Sequence, residues 1–119
     1  MSDEFIKIAT EEINEELSGM GQLLSACQND MDVFSGAAKF QKHTHKIKGL
    51  APMMGKEELG SFSAILDSIL KKLIDGVTID GIFNDMTDSI SLMKKSMSEP
   101  ECDLTEIKNR VSQILNNFK

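Results

Sequence analysis

Two histidines and a run of lysines stand close together in this chain, and their types and spacing suit group-transfer chemistry. The segment 39–48 holds both histidines, His43 and His45, and four lysines but no acid, although the net charge of the chain is −6. A histidine near neutral pH keeps an unprotonated ring nitrogen that can act as a nucleophile. If that nitrogen takes a phosphoryl group, the product is strongly anionic and needs cationic donors beside it.

Helical spacing divides this segment and its continuation into an inward and an outward face. The inward face comprises Phe40, Thr44, Ile47, Ala51 and Met54, and the outward face comprises Gln41, His45, Lys48, Gly49 and Pro52. Because residues three and four apart are neighbours on a helix, Lys42 and Lys48 flank His45, and Gly49 follows one turn later. A glycine inside a helix costs about 1 kcal/mol relative to alanine. We therefore expect Gly49 to have a purpose, which is to clear space over the His45 ring for a partner's active site.

The run His45-Lys46-Ile47-Lys48-Gly49, followed by Gly55, resembles the His-x-x-Lys-Gly…Gly signature of histidine phosphotransfer (HPt) domains. The resemblance covers roughly Asp3 to Met97, and a fifth helix beyond it makes the chain most similar to the N-terminal phosphotransfer domain of the chemotaxis kinase CheA. It implies that His45 is the phosphoacceptor and that Lys48 assists it. It also implies a histidine kinase ATP-binding domain as phosphoryl donor and an aspartate of a CheY-like or CheB-like receiver domain as acceptor.

The resemblance assigns a supporting role to Asp67. CheA phosphotransfer domains carry a glutamate that hydrogen-bonds the phosphoacceptor ring, and an ungapped match from His45 places Asp67 at that position. An acid there would fix the ring tautomer and raise its basicity. Aspartate is one methylene shorter, so we expect a longer bond or one through water, and Ala64 replaces a second family position that is often histidine. The alternative is that Asp67 is a surface acid paired with Lys71.

Other functions fit the sequence less well than phosphotransfer. His43 is a weaker candidate for the nucleophile, because no glycine follows it at the fourth position, and we expect it to be half covered at the edge of the core. The two histidines point to different sides of a helix, so they are not expected to chelate a metal together. The main alternative is a degenerate HPt-like helical interaction module without phosphotransfer, which Asp67, Ala64 and Pro52 favour. A hydrolase or metal-binding bundle would need paired carboxylates on facing helices, which the sequence does not show.

The sequence contains no Walker loop and no kinase signature. The resemblance implies that the module is not catalytic by itself, has no cofactor, and meets ATP only through its partner kinase. Its acidic balance argues against nucleic acid as a partner. The isolated domain is expected to be a monomer without membrane insertion, since no apolar run is long enough to span a bilayer.

Composition limits the fold that positions these residues. At 119 residues the chain suits one domain with a modest core. It lacks Trp, Tyr and strand-like alternation but is rich in Leu, Ile and Met, which predicts an all-α fold. The two cysteines lack metal or redox spacing, and no signal-peptide pattern opens the chain. Both observations favour a cytoplasmic protein with reduced thiols.

Apolar spacing and capping residues predict five helices. They are expected at Asp3–Ser25, from Asp32 or Ser35 to about Met54, at 56–75, at about 78–98, and from Asp103 onward. Ser2 or Asp3 is expected to cap the first helix, Gly19 to mark close packing, and Asp103 with Glu106 to form a capping-box-like start. Pro52 predicts a kink or an early helix end, with Gly55 in a left-handed conformation after it. The first four helices predict an up-down-up-down four-helix bundle over residues 1–98. Residues 99–119 are expected to form a linker and a C-terminal helix that packs on the bundle or leaves it.

Overall fold

Apolar residues recur every three or four positions along most of the chain, and the computed structural model arranges them on six α-helices over the described residues, 2–118. The helices are α1 (Asp3–Ser25), α2 (Asp30–Ser35), α3 (Ala37–Met53), α4 (Glu57–Ile74), α5 (Ile82–Ser98) and α6 (Thr105–Asn116). The described range contains no strand, which confirms the predicted all-α class. No helix within it combines the length and the hydropathy that a bilayer crossing demands.

The apolar stripes of the four long helices meet in a single core. The buried positions of α1 are Ala9, Ile13, Leu17 and Met20, as its spacing predicts. Phe40 of α3 and Phe62 of α4 are the largest fully buried side chains, and burying a side chain of this size stabilises the fold by about 1.5–3 kcal/mol. Ile107 and Val111 of α6 are buried as well, so the C-terminal helix packs on the helical core, chiefly against α4.

The helices α3 and α4 form the most extensive pair in the fold, and their contacts show that they run antiparallel. Near the turn between them, an added Cβ at Gly60 of α4 would lie 2.5 Å from the Pro52 ring of α3. Further along, Gln41 and Lys48 of α3 reach Asp67 of α4. The small residue at position 60 therefore lets the two backbones approach closely, and this approach places the middle of α3 beside α4.

Two predicted helix starts were wrong. The second predicted helix is divided into α2 and α3 at Gly36. It also starts earlier than predicted, since Asn29 caps α2 by accepting a hydrogen bond from the Asp32 amide. The helix predicted to begin near Thr78 begins at Ile82 instead. The reason is a capping group from elsewhere in the chain: the Asp30 carboxylate accepts hydrogen bonds from the backbone amides of Gly81 and Phe83 at 2.9 and 2.8 Å.

Pro52 neither ends α3 early nor stands outside it. The helix includes Pro52 in its last turn and continues to Met53, after which Gly55 adopts the predicted left-handed conformation with φ +88°. A proline lacks the amide that would bond the carbonyl four residues earlier, so α3 loses the bond to the Lys48 carbonyl and extends only one residue beyond Pro52. The conformation of Gly55 then turns the chain directly into α4.

The caps of the first and last helices had different outcomes. Ser2 accepts a hydrogen bond from the Phe5 amide at 3.1 Å and caps α1 as predicted. The capping box expected at Asp103 was wrong: Asp103 accepts from the Thr105 amide at 2.9 Å, and Leu104 is the residue before α6. The side chain of Leu104 is apolar and buried, so packing against the core positions the start of this helix.

Candidate functional site

His45 projects from the middle of α3 into solvent. Its side chain is 62% exposed, and its Nδ1 lies 4.0 Å from Oδ1 of Asp67 on α4. Since Nδ1 faces Asp67, Nε2 occupies the other edge of the ring. The side chains of Gln41, Lys42, His45, Lys46 and Lys71 line a shallow depression of about 430 Å³ in front of α3. The ring therefore stands at an open surface that another molecule can approach.

Asp67 is a buried carboxylate held by four donor groups, its side chain being only 2% exposed. Oδ1 accepts a hydrogen bond from the Gln41 amide at 2.7 Å and lies 3.3 Å from the Thr44 hydroxyl, whose one proton is shared with the Gln41 carbonyl oxygen at 3.1 Å. Oδ2 lies 3.4 Å from Lys48 Nζ and 3.3 Å from Lys71 Nζ. Burial alone would raise the pKa of Asp67, but the Gln41 hydrogen bond and the two ammonium groups lower it below its usual value. The carboxylate is therefore ionised at neutral pH.

The 4.0 Å between Asp67 Oδ1 and the His45 ring is too long for a direct hydrogen bond, as expected for an aspartate that is one methylene shorter than glutamate. Other groups already engage both oxygens of the carboxylate, Gln41 at Oδ1 and the ammonium groups of Lys48 and Lys71 at Oδ2. The alternative pairing of Asp67 with Lys71 is confirmed, although Asp67 is buried and is not a surface acid. Its contacts make Asp67 an anchor for neighbouring donors.

His43 faces the other side of α3, towards α1. Its Nδ1 lies 2.8 Å from Oε1 of Glu16, whose second oxygen is 3.7 Å from Lys46 Nζ. Its side chain is 27% exposed, which agrees with a histidine half covered at the edge of the core. An added Cβ at Gly19 would lie 2.5 Å from the His43 ring, so Gly19 marks close packing, as predicted. The two histidines thus contact different helices.

The glycines of the helices differ in what surrounds them. A Cβ at Gly19 or Gly60 would collide with a neighbouring side chain, whereas a Cβ at Gly49 would meet no atom within 4 Å. Packing within the described chain therefore gives no reason for glycine at position 49. One turn further along, Met53 is 61% exposed. The surface beyond His45 is consequently free of bulky side chains at Gly49, and the flexible apolar side chain of Met53 lies at its far end.

The structure assembles the predicted residues only in part. Lys48 contacts Asp67, Lys42 borders the depression, and Gly49 is exposed beyond the ring. Sequence reasoning did not assign Gln41 and Thr44 to Asp67, nor Lys71 to the depression. Their signals were weak, since each is a polar residue at helical spacing from a site residue, and this spacing alone is common.

Comparisons of this chain with protein-family models, with curated proteins and with solved structures found no match. A fold class does not determine a function, because function depends on the chemistry of a site. The function of this chain is therefore inferred from the geometry and charges around His45.

Proposed function

We propose that this chain is the histidine phosphotransfer module of a two-component phosphorelay, similar to the CheA phosphotransfer domain and acting in chemotaxis signalling. His45 accepts the phosphoryl group, and an aspartate of a response-regulator receiver domain then removes it. One observation carries the proposal: the His45 ring is largely exposed midway along α3, among lysines and beside an unfilled glycine position. A ring enclosed by other side chains would exclude this role.

The chemistry requires a neutral ring with a free electron pair on its outer nitrogen. The pair on Nε2 forms a bond to the γ-phosphorus of ATP held by a kinase domain, the bond from phosphorus to the β–γ bridging oxygen breaks, and ADP leaves. The ring keeps its Nδ1 proton on the edge that faces Asp67. In the second transfer a carboxylate oxygen of the receiver attacks phosphorus, the P–N bond breaks, and the electron pair returns to Nε2. Neighbouring ammonium groups offset the negative charge of the phosphoryl group in both steps.

The fold proposed for this function is an up-down-up-down bundle of α1, α3, α4 and α5, with α6 on its outside. The antiparallel contacts of α3 with α4 support this arrangement, as do the contacts of α1 with α3 and α5. Such a bundle holds the middle of a helix rigidly, because that helix packs against neighbours on its inner face. His45 would then keep one position while successive partners dock.

The partners proposed are a histidine kinase ATP-binding domain and a CheY-like or CheB-like receiver domain, which use the same surface at different times. A short-lived complex of this kind buries little area, typically less than about 1,200 Å² in total. The open position of Gly49 and the exposed Met53 side chain give a partner close access and adaptable apolar contact. Lys42 and Lys46 at the depression provide positive charge towards the phosphate-binding site of either partner.

The test is phosphorylation by the ATP-binding domain of a CheA-type kinase with labelled ATP. The expected product is an acid-labile label on the protein, which His45→Gln abolishes. His43→Gln is expected to leave the label in place, since His43 is hydrogen-bonded to Glu16 on the other side of α3. His43→Gln is thus the matched control for loss of one histidine. Label that persists in His45→Gln, or no label on the folded wild-type protein, would contradict the proposal.

One observation favours a second candidate, a degenerate helical interaction module without phosphotransfer. Asp67 does not hydrogen-bond the His45 ring, so the activation implied by the family resemblance is not visible in the structure. This candidate predicts that the protein folds and binds a receiver domain while His45 never takes label. The same experiment, combined with a binding measurement, separates the two.

A further inference from the structure

Two lysines from different helices share one oxygen of the buried Asp67 carboxylate. Lys48 of α3 and Lys71 of α4 place their ammonium groups 3.4 and 3.3 Å from Oδ2. The other oxygen separately accepts a hydrogen bond from the Gln41 amide at 2.7 Å. Loss of both lysines from Oδ2 would therefore leave the carboxylate still hydrogen-bonded through Oδ1.

The charges at this point do not balance in the resting protein. One carboxylate faces two ammonium groups, which gives a local excess of one positive charge, and Lys42 borders the same depression, whereas Lys46 there is paired with Glu16 at 3.7 Å. A phosphoryl group on a ring nitrogen is anionic and adds negative charge beside these ammonium groups. Its arrival on His45 would offset this excess, so the resting arrangement is already suited to a dianion.

Of the two lysines on Oδ2, Lys71 borders the depression in front of the His45 ring. Its side chain is 57% exposed and that of Lys48 37%. A lysine side chain is long and flexible, with three donor hydrogens on its ammonium group. Lys71 can therefore turn from Oδ2 into the depression without any movement of α4.

We propose that Lys71 is a second phosphoryl-binding residue, which Asp67 holds beside the site until His45 is phosphorylated. It lies outside the His-x-x-Lys-Gly motif and comes from the neighbouring helix. On phosphorylation Lys71, together with Lys48, exchanges Oδ2 for phosphoryl oxygens, while Gln41 keeps the carboxylate in place. This inference rests on the proposed function of His45. It adds Lys71 to the residues that bind the phosphoryl group and assigns Lys71 a resting position on Asp67.

The test uses phosphoramidate, a small phosphoryl donor, so that no partner protein is needed. The Nε2 electron pair forms the new P–N bond, the P–N bond of the donor breaks, and ammonia leaves. The variants are Lys71→Gln and its matched control Lys72→Gln, which removes the same charge from the next residue of α4. Successive helical residues lie about 100° apart, so Lys72 projects in a different direction. Lys71→Arg tests rescue by a different cation.

Lys71→Gln is expected to slow labelling of His45 about three- to tenfold, as loss of one partly exposed charge-assisted contact would. Lys72→Gln is expected to stay within about twofold of wild type, and Lys71→Arg to recover most of the rate. In ³¹P NMR of the labelled protein, the phosphoryl group should titrate at higher pH in Lys71→Gln than in Lys72→Gln, because a nearby cation favours the dianion. A purely structural role for Lys71 would not move this titration.

The role of Lys71 and the role of His45 are contradicted by different results. Equal rates and equal phosphoryl titrations in Lys71→Gln and Lys72→Gln, with His45 labelled in both, would overturn the role of Lys71 and leave the phosphoacceptor intact. Absence of label on His45 in the wild-type protein would overturn the proposed function, and the role of Lys71 with it.

Discussion

Gly49→Ala is expected to make the protein more stable and a poorer phosphotransfer partner. Glycine inside a helix costs about 1 kcal/mol relative to alanine. The added Cβ would meet no atom within 4 Å, so no collision offsets this gain. For a domain of this size, about 1 kcal/mol raises the melting temperature by roughly 3–6 °C. At a close-fitting contact with a partner, the same methyl group would cost about 1–3 kcal/mol, which slows transfer about 5- to 150-fold.

The assay compares a protein donor with a small one. Thermal unfolding measures stability, and labelling of His45 is followed with a kinase ATP-binding domain and ATP, and separately with phosphoramidate. The kinase reaction is expected to slow, while the phosphoramidate reaction is expected to remain at the wild-type rate because the small donor needs no close surface contact. Gly36→Ala is the control, since it changes a glycine outside the site where an added Cβ makes only ordinary contacts, the nearest at 3.4 Å.

Two results would refute this reasoning. If Gly49→Ala accepts phosphoryl groups from the kinase domain as fast as wild type, the open position at Gly49 has no role in partner approach. If Gly49→Ala is less stable than wild type, the added Cβ collides with neighbouring atoms and the argument from open space at Gly49 is wrong.

Four further substitutions test other parts of the fold. Gly60→Ala is expected to lower stability by about 1–3 kcal/mol in urea unfolding, because its Cβ would lie 2.5 Å from Pro52 Cγ. The pKa of Asp67 is lowered in the fold, so its stabilisation is present above the usual carboxyl pKa of about 3.9 and is lost as pH falls below it. Asp67→Asn should therefore lose less unfolding free energy than wild type between about pH 6 and about pH 3. Asp30→Ala should cost about 1–2 kcal/mol in denaturant unfolding by removing the cap at the start of α5, without changing phosphoramidate labelling. Ser89→Ala should leave melting temperature unchanged or raised, because this buried hydroxyl has no hydrogen-bond partner among the described residues.

Features that depend on neighbours along the chain were predictable. The bounds of α1 follow from its apolar stripe and the Ser2 cap, and both agree with the structure. The left-handed Gly55 follows from the rule that glycine ends helices. The inward and outward faces of α3 follow from its period, so Thr44 and Ile47 are buried while His45 is exposed. In each case the physical cause acts within about one helical turn.

Features that depend on groups far apart in the chain were mispredicted or not predicted. The start of α5 at Ile82 depends on Asp30, which comes from α2. The start of α6 combines the burial of Leu104 against the core with the local hydrogen bond from the Thr105 amide to Asp103, and only the second of these could be expected from neighbouring residues.

The candidate site divides in the same way. A short run of sequence around His45 determined which side chain is the candidate nucleophile, that lysines flank it, and that Gly49 follows it, because all of these lie on one helix. Only the tertiary structure decided that Asp67 is buried, that Gln41 donates to one of its oxygens, and that Lys71 joins Lys48 on the other. The reason is that helical periodicity alone sets the direction of each side chain along α3. Which donors reach the Asp67 carboxylate depends instead on how closely α3 and α4 approach each other.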